Sequence, residues 1–295
     1  MENSQDLMKL IQLKFPKLSK GQKLIAEYIL SNYDKAAFMT AAKLGVSVGV
    51  SESTVVRFAI ELGFSGYPKL QKSLQELIKN KLTTVQRLEL SKDFIKEENP
   101  LKGVLKADME NIRSTLEKIN YDDFEQVVDD LFNAKKIYIV GLRSSTSLAE
   151  FLGFYLSLIL EDVKVVSNGM SDLFEQMINV GKGDVVIGIG FPRYATKTID
   201  ALAFARSRNA KAIALTDSLI SPLATNADCT LIAQSNMASF VDSLVAPLSI
   251  INALVISVGM REKEKITHTF EDLEDIWKEY NVYSYNKNNI EKESR

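Results

Sequence analysis

One stretch near the amino terminus decides how the first part of the chain folds: residues 44–58 read LGVSVGVSESTVVRF. Leu44 is spaced to face inward on one helix, and Gly49 permits a sharp turn after that helix. A second helix follows the turn, because Val55 and Phe58 return to the same apolar side. This spacing is typical of a helix–turn–helix, whose second helix enters the major groove of DNA by its first residues.

The outward side of the second helix carries side chains that can contact DNA. Ser51 is expected to cap this helix with its hydroxyl. Arg57 has the donors to grip a guanine edge or a phosphate, and serine and threonine hydroxyls suit either contact. Two lysines that follow the helix are expected to contact phosphates. The predicted DNA-contacting residues are Ser51, Ser53, Thr54, Arg57, Lys69 and Lys72.

The distribution of charge favours the same placement. The 295 residues are 46% hydrophobic and 25% charged, which is ordinary globular composition, and the net charge of −2 excludes a uniformly basic nucleic-acid coat. Residues 1–80 carry 11 Lys and Arg against 7 Asp and Glu, residues 81–130 carry 8 against 12, and residues 131–295 carry 17 against 19. The only basic block therefore holds the helix–turn–helix spacing. Any helical hairpin can show that spacing, however, and Glu52 and Glu61 oppose DNA binding.

The cysteine and histidine counts exclude several kinds of site. Cys229 is the single cysteine and His268 the single histidine, so a disulfide framework, a cysteine-rich metal site and a histidine-rich zinc site are excluded. The first ten residues lack a basic and then apolar run, so no secretory signal is expected. Asp242 and Pro247 interrupt the apolar residues 240–258, which disfavours a membrane span. We expect a cytoplasmic protein with no metal, no cofactor and no membrane partner.

The first 80 residues predict helices only. Residues 81–123 then form a polar connector that Pro100 breaks, and apolar positions from Leu101 to Ile119 fit one helix. That helix either packs on its own domain or forms a dimer, and the sequence leaves both open. The helices predicted before the connector are Leu18–Tyr33, Thr40–Val48, Ser51 to the residue before Gly63, and Lys69–Lys79.

The pattern changes after the connector. Short β-branched runs alternate with helical stretches, which predicts right-handed crossovers and a doubly wound, parallel, five-stranded sheet. The fold class is therefore an all-α domain followed by an α/β domain. The predicted strands are Lys136–Val140, Val163–Val166, Val185–Gly190, Ala212–Thr216 and Cys229–Ile232. The helices predicted around them are Ser145–Leu160, Ser171–Asn179, Thr196–Asn209 and Phe240–Gly259.

Hydroxyl-rich segments follow two of these strands, and ligands of open α/β sheets bind at the carboxyl ends of strands. After the first strand, Gly141 permits a tight turn and hydroxyls occupy the start of a helix, where unpaired N–H groups favour an anion. After the third strand, Thr196 is expected to cap the next helix. The hydroxyls either cap helices or bind a ligand, and the residues leave both open. The candidate ligand-binding residues are Arg143, Ser144, Ser145, Ser147, Arg193, Tyr194 and Thr196.

Two motifs together resemble a known family. Residues 44–58, followed by the segment ELGFSGY at 61–67, resemble the N-terminal domain of the RpiR (MurR/RpiR) family of bacterial transcription regulators. That family joins a helix–turn–helix domain to a sugar isomerase (SIS) domain, and the second half of this chain resembles one. The resemblance implies operator DNA and a phosphosugar or related anionic sugar as partners, bound by a homodimer or homotetramer. Gly45 stands where the family usually has alanine.

The resemblance also implies domain bounds and roles for residues. By position, Ser144 and Ser145 match the first sugar-phosphate loop of SIS domains, and Thr196 matches the residue that ends the second. The second loop departs from the usual Ser-x-Ser-Gly-x-Thr pattern, since Pro192 and Arg193 stand near those places. An arginine can grip phosphate with two bonds, but a sugar acid or no ligand at all stays open. The implied domains are residues 1–80 for the helix–turn–helix, 81–123 for the connector helix, 124–267 for the SIS domain and 268–295 for a C-terminal helix and tail.

An isomerase is the alternative, because other SIS domains are enzymes. Aldose–ketose isomerisation needs a base beside the carbonyl group. Glu150 is the only carboxylate that the sequence places on the candidate site, and a carboxylate in this position is more often a surface residue than a base. His268 lies beyond the last core helix. We therefore expect a binding domain with no catalytic residue.

Overall fold

A computed structural model describes residues 4–78, 84, 85, 87, 99–167, 171–237, 240–261 and 263–283. The chain divides into two compact units. The first consists of Met1–Glu110, Phe191–Tyr194 and Asn236–Ser243, and the second of Asn111–Gly190, Ala195–Ser235 and Leu244–Arg295.

The described part of residues 1–80 is helical, as predicted. Helix α1 was not predicted, and it packs on α6 through a short inner face in which Leu7 and Ile11 are buried. Residues 79 and 80 are not described, so the predicted end of the last helix, Lys79, lies outside the described residues. The helices are α1 (Ser4–Lys14), α2 (Lys20–Ser31), α3 (Tyr33–Ala36), α4 (Ala41–Val48), α5 (Glu52–Glu61) and α6 (Tyr67–Ile78), with a 3₁₀ turn at Phe15–Lys17.

The α4–α5 pair has the predicted helix–turn–helix geometry. Gly49 ends α4 in the left-handed conformation, with φ of 75°, which a residue with a β-carbon rarely adopts. Leu44, Val55 and Phe58 are fully buried, as their spacing predicts. The two helices also approach closely, because a β-carbon at Gly45 would lie 2.7 Å from the carbonyl oxygen of Val50. The lack of a β-carbon at Gly45 therefore permits this close contact between the two backbones.

Helix α6 fixes the loop that leads into the helix–turn–helix. The Tyr67 hydroxyl donates to the carbonyl of Met39 at 2.7 Å, and the Gln71 amide donates to the same carbonyl at 3.0 Å. The Gln75 amide donates to the carbonyl of Ala37 at 3.0 Å. Burial raises the pKa of Tyr67 to about 12. The segment before α4 is thus held by partly buried hydrogen bonds from α6.

The second unit contains the predicted sheet. Its five strands are all parallel and run in the order β2-β1-β3-β4-β5. Val185–Ile189 at the centre is buried at every position, as a parallel strand covered on both faces should be. The strands are β1 (Ile137–Gly141), β2 (Val163–Val166), β3 (Val185–Ile189), β4 (Lys211–Thr216) and β5 (Cys229–Ile232).

Helices cover this sheet at the predicted places, although all four are shorter than predicted. Helix α10 has four residues in place of nine, and α12 begins at Val245, after irregular residues, in place of Phe240. Helix α9 packs on β1 and β2, α11 on β3 and β4, and α8 on β5. The helices are α7 (Pro100–Lys118), α8 (Tyr121–Phe132), α9 (Thr146–Ser157), α10 (Leu173–Gln176), α11 (Thr196–Ser207), α12 (Val245–Arg261) and α13 (Lys263–Glu279), with 3₁₀ turns at Arg143–Ser145 and Ala224–Asn226.

The connector helix α7 buries polar side chains and exposes apolar ones. It buries Asn111, Ser114 and Thr115, and the Thr115 hydroxyl accepts a 2.8 Å hydrogen bond from the backbone N–H of Gln234. Its apolar side chains are instead exposed to solvent. A helix of a globular protein normally buries its apolar stripe, so this face is suited to a partner. The exposed residues are Leu101 (66%), Val104 (44%), Leu105 (54%), Met109 (62%), Ile112 (40%) and Leu116 (63%).

Helical length and composition bear on the possibility of a membrane span. Across the described residues, no single helix is long and apolar enough to cross a bilayer. The sharply bent pair Val245–Arg261 and Ile266–Glu279 passes that test only when the two helices are taken together.

Candidate functional site: a DNA-binding helix and a ligand-binding loop

Helix α5 presents the predicted DNA-contacting side chains on its first turns. Ser51, Ser53 and Arg57 are exposed, and Thr54 is half-buried. Ser51 is the N-cap residue, as predicted, but its hydroxyl makes no capping bond to the backbone. It lies 2.9 Å from the hydroxyls of Ser53 and Thr54 instead. The expected cap is therefore wrong in its bonding, and three hydroxyls form a polar cluster at the amino end of the helix.

The basic residues of the prediction lie on two helices. The Arg57 Nε donates to the carbonyl of Ser53 at 3.3 Å, which leaves the terminal guanidinium nitrogens toward solvent on an exposed side chain. Lys69 and Lys72 are exposed on α6. The negative charge of Glu61 counts against DNA binding, but this residue ends α5 about three turns from the cluster. Its backbone carbonyl accepts a hydrogen bond from the Lys14 ammonium at 2.5 Å. Glu52 stays exposed beside Ser51 and Ser53.

The strand order of the second unit indicates where sheets of this kind bind ligands. The chain passes from β1 to β2 on one side and places β3 on the other side of β1. The order therefore reverses between β1 and β3, and ligands of such sheets bind outside the carboxyl ends of the strands at this reversal. The two predicted loops follow β1 and β3.

The loop after β1 begins a helix with a strained turn. Arg143 takes the left-handed conformation, with φ of 60°, so Arg143 makes the turn that the sequence assigned to Gly141. Gly141 is needed for another reason, since a β-carbon there would lie 2.5 Å from the carbonyl oxygen of Ser145. Arg143, Ser144 and Ser147 are exposed, whereas Ser145 is 3% exposed. The Ser147 hydroxyl donates to the carbonyl of Ser144 at 3.1 Å.

The helix after β3 begins one residue earlier than a cap at Thr196 requires. Thr196 is the first residue of α11 and Ala195 is its N-cap, which has no side chain to cap with. The predicted capping role of Thr196 is therefore wrong. Its exposed hydroxyl lies in the first turn, where backbone N–H groups have no partner within the helix. This leaves Thr196 available to a ligand.

Sequence reasoning missed an ion pair beside this helix. The Lys197 ammonium lies 2.8 Å from the Asp172 carboxylate, and that hydrogen bond, with one from the backbone of Phe174, lowers the pKa of Asp172. Asp172 also caps α10 in a capping box with Glu175. The spacing Asp172-x-x-Glu175 was a readable signal for the cap, but nothing in the sequence indicated the partner 25 residues away.

Arg193 and Tyr194 fall in the first unit, whereas the other five predicted ligand-binding residues fall in the second. The Arg193 Nη1 donates to the Thr84 hydroxyl at 2.9 Å. Tyr194 is half-buried. The structure thus brings Arg143, Ser144, Ser145 and Ser147 together on one loop and gives Arg193 a partner on the connector.

The residues weighed for catalysis lie on exposed helix surface. Glu150 is exposed on α9. His268 is 78% exposed on α13, where its ring nitrogens lie 3.9 Å from the carboxylates of Glu271 and Asp272. Within the described part of the chain, no cluster of three or more His, Cys, Asp or Glu side chains can hold a metal ion.

An open polar groove lies at the opposite edge of the sheet, where the strands begin. Four of its charged groups form two ion pairs, Arg206 with Asp228 at 3.2 Å and Lys211 with Asp130 at 3.3 Å. These pairs join helices to strand ends. The groove is accounted for by packing and is not the predicted site.

Known families match both parts of the chain. Residues 5–81 match the helix-turn-helix domain of the rpiR family, and residues 130–257 match the SIS domain. The transcriptional regulator HexR of Escherichia coli is 27% identical over 289 residues, which are 93% of this chain and 95% of HexR. An uncharacterized HTH-type transcriptional regulator of Caldanaerobacter subterraneus subsp. tengcongensis is 24% identical and covers 92% of this chain and 96% of its own length.

Solved structures share the fold. The sugar isomerase domain of an RpiR transcription factor from Sphaerobacter thermophilus matches with a TM-score of 0.58 and 29% identity, over 60% of this chain and 99% of that domain. The Vibrio vulnificus NanR protein, complexed with ManNAc-6P, matches with a TM-score of 0.55 and 20% identity, over 92% of this chain and 98% of NanR.

Proposed function

The chain belongs to the rpiR family of helix-turn-helix transcriptional regulators that carry a SIS domain, and from that premise we propose that it binds operator DNA through α5 and an anionic sugar at the loop after β1. The observation that carries the DNA half is the exposed polar end of α5. Three hydroxyls and Arg57 lie on its first turns, beyond a turn that the buried core fixes. A recognition helix reads base edges with its amino-terminal residues. Operator binding places the protein in the bacterial cytoplasm.

Replacing Arg57 with alanine tests the recognition helix. A guanidinium on a guanine edge contributes about 1–3 kcal/mol, so we expect binding to the promoter region of the protein's own gene to weaken by about 5- to 150-fold. Fluorescence anisotropy with that promoter region measures the change. If Arg57 contacts only phosphate, the slope of affinity against salt falls by about one and the loss is uniform across sequences.

A charge-matched control separates recognition from bulk electrostatics. Arg208→Ala removes the same positive charge from an exposed position of the second unit and is expected to leave DNA affinity unchanged. Equal loss in Arg57→Ala and Arg208→Ala, or no loss in Arg57→Ala, contradicts the assignment of α5 as the recognition helix.

The effector half of the proposal rests on the position of the loop after β1. It lies at the reversal of strand order and carries Arg143 with exposed hydroxyls, and the exposed Thr196 begins the helix after β3. Unpaired N–H groups at helix starts and a guanidinium suit a phosphate or a carboxylate. NanR, which shares the fold, binds ManNAc-6P, so a phosphosugar is the first ligand to test. Ser144, Ser145 and Ser147 complete the proposed contacts on this loop. Arg193 and Tyr194, which belong to the first unit, are proposed separately as ligand contacts.

The SIS domain serves as a sensor and not as an isomerase in this proposal. Its curated relatives are named as transcriptional regulators, and Glu150 lies on the exposed surface of α9. A ligand changes operator binding only through its differential affinity for two arrangements of the protein, typically about 1–3 kcal/mol of coupling.

We propose that the regulator acts as a homodimer, or a tetramer of such dimers, joined through the exposed face of α7. Leu101, Leu105, Met109, Ile112 and Leu116 recur at intervals of three and four residues, which suits packing against an equivalent helix of a second copy. The polar side of α7 is already fixed by its contact with Gln234. The two helix–turn–helix domains of a dimer also suit the paired half-sites that helix–turn–helix proteins recognise.

A double substitution on this face tests the dimer. Leu105→Gln with Met109→Gln places two amides in the contact, so we expect the dimer to dissociate at micromolar concentration and operator affinity to fall by about tenfold or more. Sedimentation equilibrium measures the mass, and Lys102→Gln, exposed on the same helix, is the control. A double variant that keeps the wild-type mass rules out α7 as the interface.

A further inference from the structure

Residues of the connector contact two loops within the first unit. Thr84 and Arg87 belong to the connector, Pro192 and Arg193 to the loop after β3, and Asp242 to the segment before α12. None of these contacts was predicted from the sequence. We call the four hydrogen-bonding residues Thr84, Arg87, Arg193 and Asp242 the connector latch.

The Arg87–Asp242 pair is the fixed half of the latch. The Arg87 Nη1 lies 2.8 Å from the Asp242 carboxylate, with the two side chains 5% and 21% exposed. The Arg87 Nη2 also donates to the carbonyl of Pro192 at 3.4 Å. A buried charge that loses its partner is strongly destabilised, so this pair holds the connector against both loops. The Ser243 hydroxyl adds a 2.6 Å hydrogen bond to Asp108 of α7.

The Arg193–Thr84 bond is the half that a ligand can replace. Arg193 is exposed, and its Nη1 donates to the neutral Thr84 hydroxyl at 2.9 Å. A guanidinium binds a phosphate or carboxylate with two parallel bonds between opposite charges, whereas the Thr84 hydroxyl offers one neutral acceptor. An anion that binds the edge of the guanidinium that includes Nη1 therefore competes with Thr84 for that nitrogen.

We propose that the connector latch couples ligand binding to the connector: an anionic ligand bound by Arg193 displaces the Thr84 hydroxyl, and the hydrogen bond from Arg87 to the carbonyl of Pro192 then holds the connector on the loop after β3 without it. This inference rests on the proposed function in taking Arg193 as a ligand contact. Thr84 is then an internal competitor of the ligand, and the Arg87–Asp242 pair determines how firmly that competitor is held. Removing the competitor raises ligand affinity, in contrast to removal of an ordinary ligand contact.

The test compares Thr84→Val with Thr84→Ser in the full chain. Isothermal titration calorimetry with N-acetylmannosamine 6-phosphate, and separately with inorganic phosphate, measures the affinities. We expect Thr84→Val to bind at least one probe about three to ten times more tightly than the wild type, since valine keeps the shape and removes the acceptor. Thr84→Ser, which keeps the hydroxyl, is expected to match the wild type.

Asp242→Asn provides a second route to the same result. It keeps the shape and weakens the hold on Arg87, so tighter probe binding is again expected. Unchanged or weaker probe binding in both Thr84→Val and Asp242→Asn overturns the latch, as does a wild-type protein that binds neither probe. The operator affinity of the wild type, measured on the same preparation, decides the proposed DNA-binding function separately. If the wild type binds operator, both variants should shift that affinity in the direction that saturating probe shifts it.

Discussion

Phe58→Ala is expected to destabilise the helix–turn–helix region by about 3–5 kcal/mol, because the side chain is fully buried and the cavity cannot close around alanine. Phe58 lies in a core with Ile25, Ile29 and Leu44, all of them 0% exposed. Denaturant unfolding, together with hydrogen exchange of the α4–α5 pair, measures the change. Operator binding should fall with the folded fraction of this region. The second unit should keep its own unfolding transition, because it has a separate core.

Ile60→Ala is the matched control on the same helix. Its side chain is 56% exposed, and alanine is the better helix former, so a change within about 0.5 kcal/mol is expected. A similar loss of stability in Ile60→Ala and Phe58→Ala would contradict the burial pattern on which the orientation of α5 depends.

Gly141→Ala is expected to abolish the ligand-binding geometry of the loop after β1. The new β-carbon would lie 2.5 Å from the carbonyl oxygen of Ser145 and 2.9 Å from the β-carbon of Ala149, so the 3₁₀ turn must move. Overpacking of this kind costs about 1–3 kcal/mol of stability. Displacing even one hydrogen bond to a charged ligand costs about 1.5–3 kcal/mol, so phosphosugar affinity should fall by about tenfold or more.

Gly181→Ala is the control for this substitution. No atom lies within 4 Å of a β-carbon at Gly181, so neither stability nor ligand affinity should change there. Calorimetry with the same two probes, and thermal unfolding, compare the two variants. Wild-type affinity in Gly141→Ala would remove the loop after β1 from the proposed site.

The fold was predictable because both halves of the chain have strong periodicity. Val55 and Phe58 are at helical spacing after the turn at Gly49, and the β-branched run Val185–Ile189 is typical of a buried strand. Helix α1 was missed because, among its side chains that the structure describes, Leu7 and Ile11 alone are buried, which is a weak signal. The five strands were placed within one residue at either end.

The site was less predictable, because side-chain bonds depend on backbone detail. Ser51 occupies the N-cap position that its residue type favours, yet its hydroxyl contacts other side chains. One residue of register moved Thr196 out of the capping position. The contact of Arg193 with Thr84 joins residues 109 positions apart, and no local pattern reports on such a pair.

The close approach at Gly45 restricts how the DNA preference of this protein can be redesigned. A β-carbon on α4 would meet the carbonyl of Val50, which leads into α5, so the two helices share one backbone fit. A recognition helix taken alone from a relative with alanine at position 45 is adapted to a larger distance between the two helices, so it is expected to fit this turn poorly. Experiments that exchange DNA specificity should therefore replace Ala41–Glu61 as one segment, because α4 and α5 fit each other as a pair.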